Sequence, residues 1–199
     1  MATFLTSDWH LGDDRFKILG RPFISREQME DEFVKLHNNL VAPEDDVYVV
    51  GDIVCNRFPD YLSHVDRFNG QKVLIRGNHD IIFSDDELLK YFKQVIPDGE
   101  GINIDINDIP CYMVHYPTEG NTERFTLCGH VHSAWKYQLN MFNIGVDSNH
   151  FKPTNIEDIP FHFNAISKFY DDDIWCAYNN INTSYRNKRG IKGTYFRNK

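Results

Sequence analysis

Short apolar runs mark the strands that this chain is expected to form. Residues 2–7, 47–50 and 72–75 have the length and apolar character of strands, and each run leads into polar residues or glycine. Isoleucines then alternate with polar residues over 102–106. Further apolar runs follow at 111–114, 125–128 and 140–144. The pattern predicts three strands in the first half of the chain and a mostly β second half.

Helical periodicity fills the gaps between the first strands. Capping-box patterns at 25–28 and 84–87 predict two helix starts, because a serine and the glutamine or glutamate three residues later satisfy free backbone N–H groups. Apolar residues at helical spacing extend the first helix over 25–41, and another helix is predicted around 62–68. Strands and helices thus alternate as βαβαβα, which predicts an α/β fold.

Length and composition predict one globular domain over residues 1–199. Hydrophobic residues make up 41% of the chain, enough for a core, and we find no internal repeat or linker. No apolar stretch approaches the roughly 18 residues of a membrane span, and the first residues lack the basic and apolar regions of a signal peptide. The four cysteines form no CxxC pair, which is typical of reduced thiols in a cytoplasmic protein: Cys55, Cys111, Cys128 and Cys176.

Charge is unevenly distributed along the chain. The net charge is −8, but residues 174–199 contain no acidic residue and six of the 21 basic ones, leaving 15 basic and all 29 acidic residues in the first 173. An acidic body argues against broad, non-specific binding to nucleic acid. The basic C-terminal segment, with Tyr185, Tyr195 and Phe196 between its charges, is compatible with an anionic partner such as nucleic acid but is more typical of a solvated or frayed chain end.

Polar side chains follow the predicted strands at the points where those strands end. They are Asp8, His10, Asp52, Asn78, His79, Asp80, His115, His130 and His132. The carboxyl ends of strands border the ligand crevice in open α/β sheets, so these residues are expected to share one rim. Residues two apart in extended chain point the same way, as at 8 and 10 or 130 and 132. Carboxylate, imidazole and amide donors together suit manganese, iron or zinc better than calcium or magnesium.

The order of these residues along the chain carries a family resemblance. The blocks read DxH, GD, GNHD, H and GHxH between Asp8 and Asp147, and the chain resembles the calcineurin-like metallophosphoesterase superfamily. The blocks at 114–117 and 143–147 are similar to those of its small single-domain bacterial and phage-type members. The resemblance implies a four-layer α/β/β/α sandwich with a dinuclear metal site at the strand ends.

The resemblance also implies roles for individual residues. Asp8, His10 and His132 are expected to bind one metal ion, Asn78, His115 and His130 the other, and Asp52 both. Two divalent ions are implied, manganese first, with iron, zinc and nickel as alternatives. His79 is expected to act as general acid or to donate a hydrogen bond to a phosphate oxygen. Asp80 is expected either to orient the His79 ring or pair with it, or to be a turn residue that leads into a helix. Arg76 is expected either to contact phosphate or to be an ordinary surface residue.

The implied reaction is hydrolysis of a small phosphodiester by attack of a metal-bridging hydroxide. The alternatives are a phosphomonoesterase or nuclease with the same site, or a binding protein without turnover. Protein phosphatases of the superfamily continue the second block as GDxxDRG, whereas this chain has Cys55 and Asn56 in place of the Asp-Arg pair and Arg57 one position late. That difference counts against a protein phosphatase.

Overall fold

The strands form two five-stranded sheets in a computed structural model that describes residues 1–165. The first sheet has the order β10-β1-β2-β3-β4, with β1 at Thr3–Thr6, β2 at Asp46–Val50, β3 at Gln71–Ile75, β4 at Gln94–Ile96 and β10 at Thr154–Asn155. The second has the order β5-β6-β7-β9-β8, with β5 at Ile102–Ile106, β6 at Ile109–Val114, β7 at Phe125–Cys128, β8 at Tyr137–Gln138 and β9 at Met141–Asn143. The basic segment 174–199 lies outside the described residues.

Parallel pairing directs the carboxyl ends of the central strands to one edge of the molecule. Strands β1 to β4 are parallel to one another, and β6, β7 and β9 are parallel in the second sheet. Just beyond β1 and β9, Ser7 and Gly145 form a parallel bridge that joins the two sheets at this edge. The loops that leave both sheets therefore meet there.

Of the helices longer than three residues, the first is shorter than its sequence pattern predicts. These helices are α1 (Arg26–Asn38), a 3-10 helix (Pro59–Arg67), α2 (Asp85–Leu88) and α3 (Ile159–Asn164). The predicted helix 25–41 ends at Asn38, whose side chain donates to Arg67 O and accepts from Asn69 N–H instead. At its start the Gln28 side chain reaches back to Ile24 N–H, one residue before the predicted partner.

The other two helix predictions differ from the structure in form. The segment predicted as a helix around 62–68 is a 3-10 helix that begins at Pro59. The capping box of Ser84 and Glu87 is confirmed in both of its hydrogen bonds, but the helix it opens is a single turn. Strand β4 had no prediction, because its three residues are too few to show a period.

Alternation along the strands creates two apolar layers. Phe4 and Val49 point toward α1 and the 3-10 helix, whereas their neighbours Leu5 and Val50 point into the space between the two sheets. All four are buried, which is why these strands read as continuous apolar runs. Two sheets and their helices confirm the predicted α/β sandwich. Against the second sheet, Phe163 of α3 packs its ring on Phe125.

None of the helices in residues 1–165 combines the length and the apolar character needed to cross a membrane.

A buried histidine in the helical layer should make the stability of the protein depend on pH. His37 packs edge-on against Trp9 and Phe68, and its Nε2 donates to Asn69 O. Burial lowers the pKa of the His37 imidazole from about 6.5 to about 4. Below pH 6.5, His37 is therefore protonated in the unfolded chain but stays neutral in the folded chain. The free energy of unfolding consequently falls as the pH falls toward 4.

Between pH 7 and pH 5, the free energy of unfolding should fall by about 2 kcal/mol less in the His37→Gln variant than in the wild type. Denaturant unfolding of metal-free protein at several pH values measures it, and because both proteins share every other titrating group, the difference between their slopes isolates His37. Parallel curves for the two proteins would contradict the prediction.

Candidate metal centre

The nine predicted site residues lie together at the carboxyl edge of the two sheets. Asp8 and His10 follow β1, Asp52 follows β2, Asn78, His79 and Asp80 follow β3, His115 follows β6, and His130 and His132 follow β7. Segments more than 100 residues apart in sequence thus supply one cluster. The His130 backbone N–H, for example, donates to both carboxylate oxygens of Asp8 at 3.0 and 3.1 Å.

Three groups of side chains present ligand atoms close enough to hold a cation. The groups are Asp8, His10 and His132, then His10, Asp52 and His79, then Asp52, His115 and His130; within each, the ligand atoms lie within 4.8 Å of one another. The first two groups share His10 and the last two share Asp52, whose Oδ2 lies 3.5 Å from Nε2 of both His10 and His115. Asn78 Oδ1 lies 3.1 Å from Nδ1 of His130.

The backbone turns sharply at most of these residues. Positive φ angles occur at Asp8 (61°), His10 (49°), Asp52 (56°), His130 (72°) and His132 (49°). Side-chain-bearing residues seldom adopt this left-handed conformation, and functional sites hold it by surrounding contacts. Here the loops hold one another, since the backbone N–H of Asp8 donates to Gly51 O and that of His10 to Asp52 O, both at 3.0 Å.

Two buried histidines have ring nitrogens without a hydrogen-bond partner. The side chain of His10 is 4% exposed and neither of its ring nitrogens is bonded; Nε2 of His115 is likewise unbonded. His115 Nδ1 donates to Val50 O at 2.8 Å, which leaves the Nε2 lone pair directed at Asp52. Buried polar atoms without partners are costly. A divalent cation coordinated by these nitrogens and Asp52 removes that cost, so the residues fit a metal ion.

Burial and charge act in opposite directions on the two histidines beside Asp52. Burial lowers the pKa of His10 to about 3 and keeps its ring neutral. Burial also opposes charge on His115, but the carboxylates of Asp52, 3.5 Å from its Nε2, and of Asp8 raise its pKa to about 9. Burial opposes ionisation of Asp52 as well, yet His115 and His10 hold the pKa of that carboxyl well below its usual range. A cation that binds at His115 must therefore displace a proton.

Asp80 holds two loops together and begins a short 3-10 helix, so of its two predicted roles the structure agrees with the turn residue and not with a partner of the His79 ring. Its carboxylate is fully buried and accepts from the N–H groups of Asp52 (2.8 Å), Ile53 (3.0 Å) and Gly77 (2.9 Å). Burial and the nearby charge of Asp52 raise its pKa to about 7, against the effect of these donors. The other prediction placed Asp80 on the His79 ring because the two are adjacent, but the turn directs the carboxylate inward.

The ring of His79 is oriented by the backbone of another loop. The Asn56 N–H donates to Nδ1 of His79 at 3.2 Å, so in the neutral ring Nε2 carries the proton. The ring lies edge-on to His10, with centroids 4.6 Å apart, and the His79 N–H donates to Oδ1 of Asp52 at 2.9 Å. His79 therefore offers an N–H donor next to the candidate ligands.

Sequence reasoning missed Arg21 and gave Asp147 no role. The Arg21 side chain is fully buried and pairs with Asp147 through Nε at 2.7 Å and Nη2 at 3.0 Å. Asp147 Oδ2 also accepts from Nδ1 of His132 at 2.8 Å. A signal existed for Asp147, since it ends the block 143–147 that carries the family resemblance, whereas nothing in the pattern distinguishes Arg21 from a surface arginine.

The two other arginines considered from the sequence are occupied elsewhere. Arg76 donates to the Asp80 carbonyl at 3.0 Å and to the Asp85 carboxylate at 2.5 Å, so it braces the turn after the site. Arg57 pairs with the buried carboxylate of Asp13 at 3.5 Å and more closely with its neighbour Asp14. The guanidinium of Arg76 is therefore engaged within the fold, and its contact with phosphate stays a prediction.

The glycine before Asn78 is required by the closeness of Asp52 and His115. A methyl group at Gly77 would lie 2.8 Å from Nε2 of His115 and closer still to Oδ1 of Asp52. Gly77→Ala should therefore displace both side chains and weaken Mn²⁺ binding by more than roughly tenfold.

Gly20→Ala is the matched control, because φ is +75° there but nothing lies within 4 Å of the added methyl group. We expect this variant to lose about 1 kcal/mol of stability and to keep its Mn²⁺ affinity. Calorimetric titration with Mn²⁺ measures the affinity of each variant, and equal affinities for the two would contradict the prediction.

Comparison with known proteins identifies the family. The calcineurin-like phosphoesterase model matches residues 1–197. The uncharacterized protein MJ1445 of Methanocaldococcus jannaschii is 26% identical over 167 residues, which cover 77% of this chain and 86% of that protein. The crystal structure of AQ665, a protein of unknown function from Aquifex aeolicus, has a TM-score of 0.62 at 24% identity over 81% of this chain and 98% of that one, a likeness of fold.

The family match and the candidate ligand groups together indicate a metal-dependent phosphoesterase. The chain belongs to the calcineurin-like phosphoesterase family.

Proposed function

We propose that this protein hydrolyses phosphodiesters at a centre of two divalent metal ions. The ligands of one ion are Asp8, His10 and His132, those of the other are Asn78, His115 and His130, and Asp52 is shared. The observation that carries the proposal is that three ligand groups adjoin one another through the shared residues His10 and Asp52, with buried nitrogens of His10 and His115 that lack any hydrogen-bond partner. A scaffold that had lost turnover would have no reason to keep this arrangement intact.

Asp52 and His79 have different roles in such a site. When bound, two divalent ions supply Lewis acidity and a nucleophile usable near neutral pH. Asp52 contributes the negative charge between the two sites, with His10 and His115 each 3.5 Å from its Oδ2. His79 carries its N–H on Nε2, because the Asn56 N–H donates to Nδ1, and Nε2 can donate a hydrogen bond that stabilises the charge on a departing alkoxide or phenolate oxygen.

The charges around the site favour a singly charged diester over a doubly charged monoester. Three arginines on the loops of the site are each paired with a carboxylate: Arg21 with Asp147, Arg57 with Asp13 and Arg76 with Asp85. Their positive charge is thereby neutralised within the protein. A phosphomonoester dianion needs more positive charge than a diester monoanion, so the fixed charges support the diester as substrate.

Other parts of the proposal rest on donor chemistry and composition. Manganese is the ion that we expect, because mixed imidazole, carboxylate and amide donors suit it, and iron, zinc or nickel could occupy the same ligands. Cys55, Cys111 and Cys128 are buried free thiols, which supports a cytoplasmic setting. The substrate is expected to be a small phosphate ester. Nucleic acid as a partner would depend on residues 174–199, outside the described residues.

Turnover of paired model substrates tests the proposal. Metal-stripped protein should be inactive and should regain activity with Mn²⁺, with a larger kcat/KM for a bis-aryl phosphodiester than for the matching aryl phosphomonoester. A preference for the monoester would make the protein a phosphatase with the same site. Hydrolysis of neither ester by protein that demonstrably binds Mn²⁺ would count against the proposed reaction with such substrates.

A further inference from the structure

A charged pair of fully buried residues lies behind one half of the site. The guanidinium of Arg21 meets the Asp147 carboxylate with two parallel N–H donors, at 2.7 and 3.0 Å. The exposed fractions of the two side chains are 0% and 3%. Buried ion pairs contribute little net stability, since desolvation offsets their attraction, so stability alone does not account for this pair.

The pair acts on three residues of a single ligand group. Arg21 Nη2 donates to the carbonyl of Asp8 at 2.6 Å and Nη1 to that of Trp9 at 3.0 Å, which holds the left-handed turn from Asp8 to His10. Asp147 Oδ2 accepts from Nδ1 of His132 at 2.8 Å and so directs the Nε2 lone pair away from itself. Asp8, His10 and His132 are the three members of the first group.

The ligands proposed for the other ion, Asn78, His115 and His130, are held by different contacts. His115 is oriented by the carbonyl of Val50, and the side chains of His130 and Asn78 bond to each other. The hydrogen bonds of Arg21 and Asp147 recorded for residues 1–165 reach neither His115 nor His130. A carboxylate on the far nitrogen of a ligand histidine strengthens its donor nitrogen, whereas a carbonyl does so less. The two groups are therefore unequally supported.

We propose that the Arg21–Asp147 pair is a positioning device that sets the affinity of the Asp8, His10 and His132 metal site without setting that of the other site. This inference rests on the proposed two-ion centre. Its consequence is that the two ions bind unequally and that loss of the Asp147 charge empties one site selectively, leaving a protein with one ion and little turnover.

Titration of metal-free protein with Mn²⁺ tests the inference without reference to activity. Wild-type protein should bind two equivalents and give the electron paramagnetic resonance signal of a spin-coupled pair. Asp147→Asn keeps an oxygen for His132 but removes the charge. It should lose roughly 10- to 100-fold in affinity for one equivalent, keep the other, and give the signal of an isolated ion.

A second variant separates positioning from folding. Asp147→Asn alone leaves the Arg21 charge buried and unpaired, which lowers the melting temperature. The double variant Arg21→Gln/Asp147→Asn removes both charges, so its melting temperature should recover while the affinity for the first equivalent stays low. Asp45→Asn is the control, because Asp45 is a buried carboxylate that accepts from the N–H groups of Ala2 and Ala42 at the amino ends of β1 and β2, away from the ligands, and both equivalents should bind as in the wild type.

The outcomes distinguish the inference from the proposed function. Equal weakening of both equivalents in Asp147→Asn, no weakening, or recovery of affinity together with melting temperature in the double variant would overturn the inference and leave the two-ion centre in place. Wild-type protein that binds fewer than two Mn²⁺ ions would overturn the two-ion centre, and the inference with it.

Discussion

Replacing Asp52 with asparagine should abolish turnover and leave the fold intact. The Asp52 side chain is 3% exposed, and its Oδ2 lies between the Nε2 atoms of His10 and His115. The Oδ1 atom of Asp52 accepts a hydrogen bond from the His79 N–H. The side-chain oxygen of asparagine can accept the same bond, so the loop can keep its path. The second oxygen becomes an NH₂ group, which cannot bind a cation. One carboxylate serves both proposed sites, so the loss exceeds that of any outer ligand.

We expect kcat/KM for the aryl diester to fall by more than about 10²–10³-fold, the range that removal of one electrostatic contact costs in an active site. Mn²⁺ binding should fall from two equivalents to one or none. Asp105→Asn provides the control, because that carboxylate is exposed and pairs with Arg124 at the surface; its stability should change by less than about 0.5 kcal/mol and its turnover not at all. If the Asp52→Asn variant turned over substrate as fast as the wild type, Asp52 could not be a carboxylate shared by the two metal sites.

Replacing His79 with alanine should slow the reaction according to the leaving group. The proton on Nε2 assists the departure of a basic oxygen far more than that of a stable phenolate. We expect kcat to fall by about 10²–10⁴-fold for esters of weakly acidic alcohols and by much less for nitrophenyl esters. A series of aryl diesters with increasingly basic phenols measures this, since kcat should depend more steeply on the phenol pKa in the variant.

Metal binding by the same variant tests the other role that the geometry allows. His79 lies in one of the three candidate ligand groups, with His10 and Asp52. If His79 donates to the leaving group, the variant should bind two equivalents of Mn²⁺ with unchanged affinity. Loss of an equivalent, with the same slowing for every leaving group, would make His79 a ligand and not a donor to the leaving group.

Sequence patterns predicted the strands and the residue types at their ends, for a physical reason. Strands buried on both faces need continuous apolar runs, so β1, β2 and β3 are visible as such, and parallel pairing brings their ends together without further information. The helices were less predictable. Asn38 ends α1 by bonding to the chain near residue 69, a partner that helical periodicity does not contain.

Contacts between distant segments decided the roles that sequence reasoning missed. One expectation placed Asp80 on His79, its neighbour in the chain, whereas its carboxylate accepts from Asp52 and Ile53, nearly 30 residues away. Arg21 and Asp147 are 126 residues apart, and only the folded chain brings them together.

Local pattern and the parallel sheet are enough to place the chemistry-bearing residues at the strand ends. The ordered blocks in the chain are likewise enough to identify the family. The folded chain was needed to find the side chains that support these residues: which nitrogen of His79 carries the proton, what holds His132, and where Asp80 points. Hydrogen-bond partners depend on distances of about 3 Å between segments far apart in sequence, and no local pattern encodes those distances.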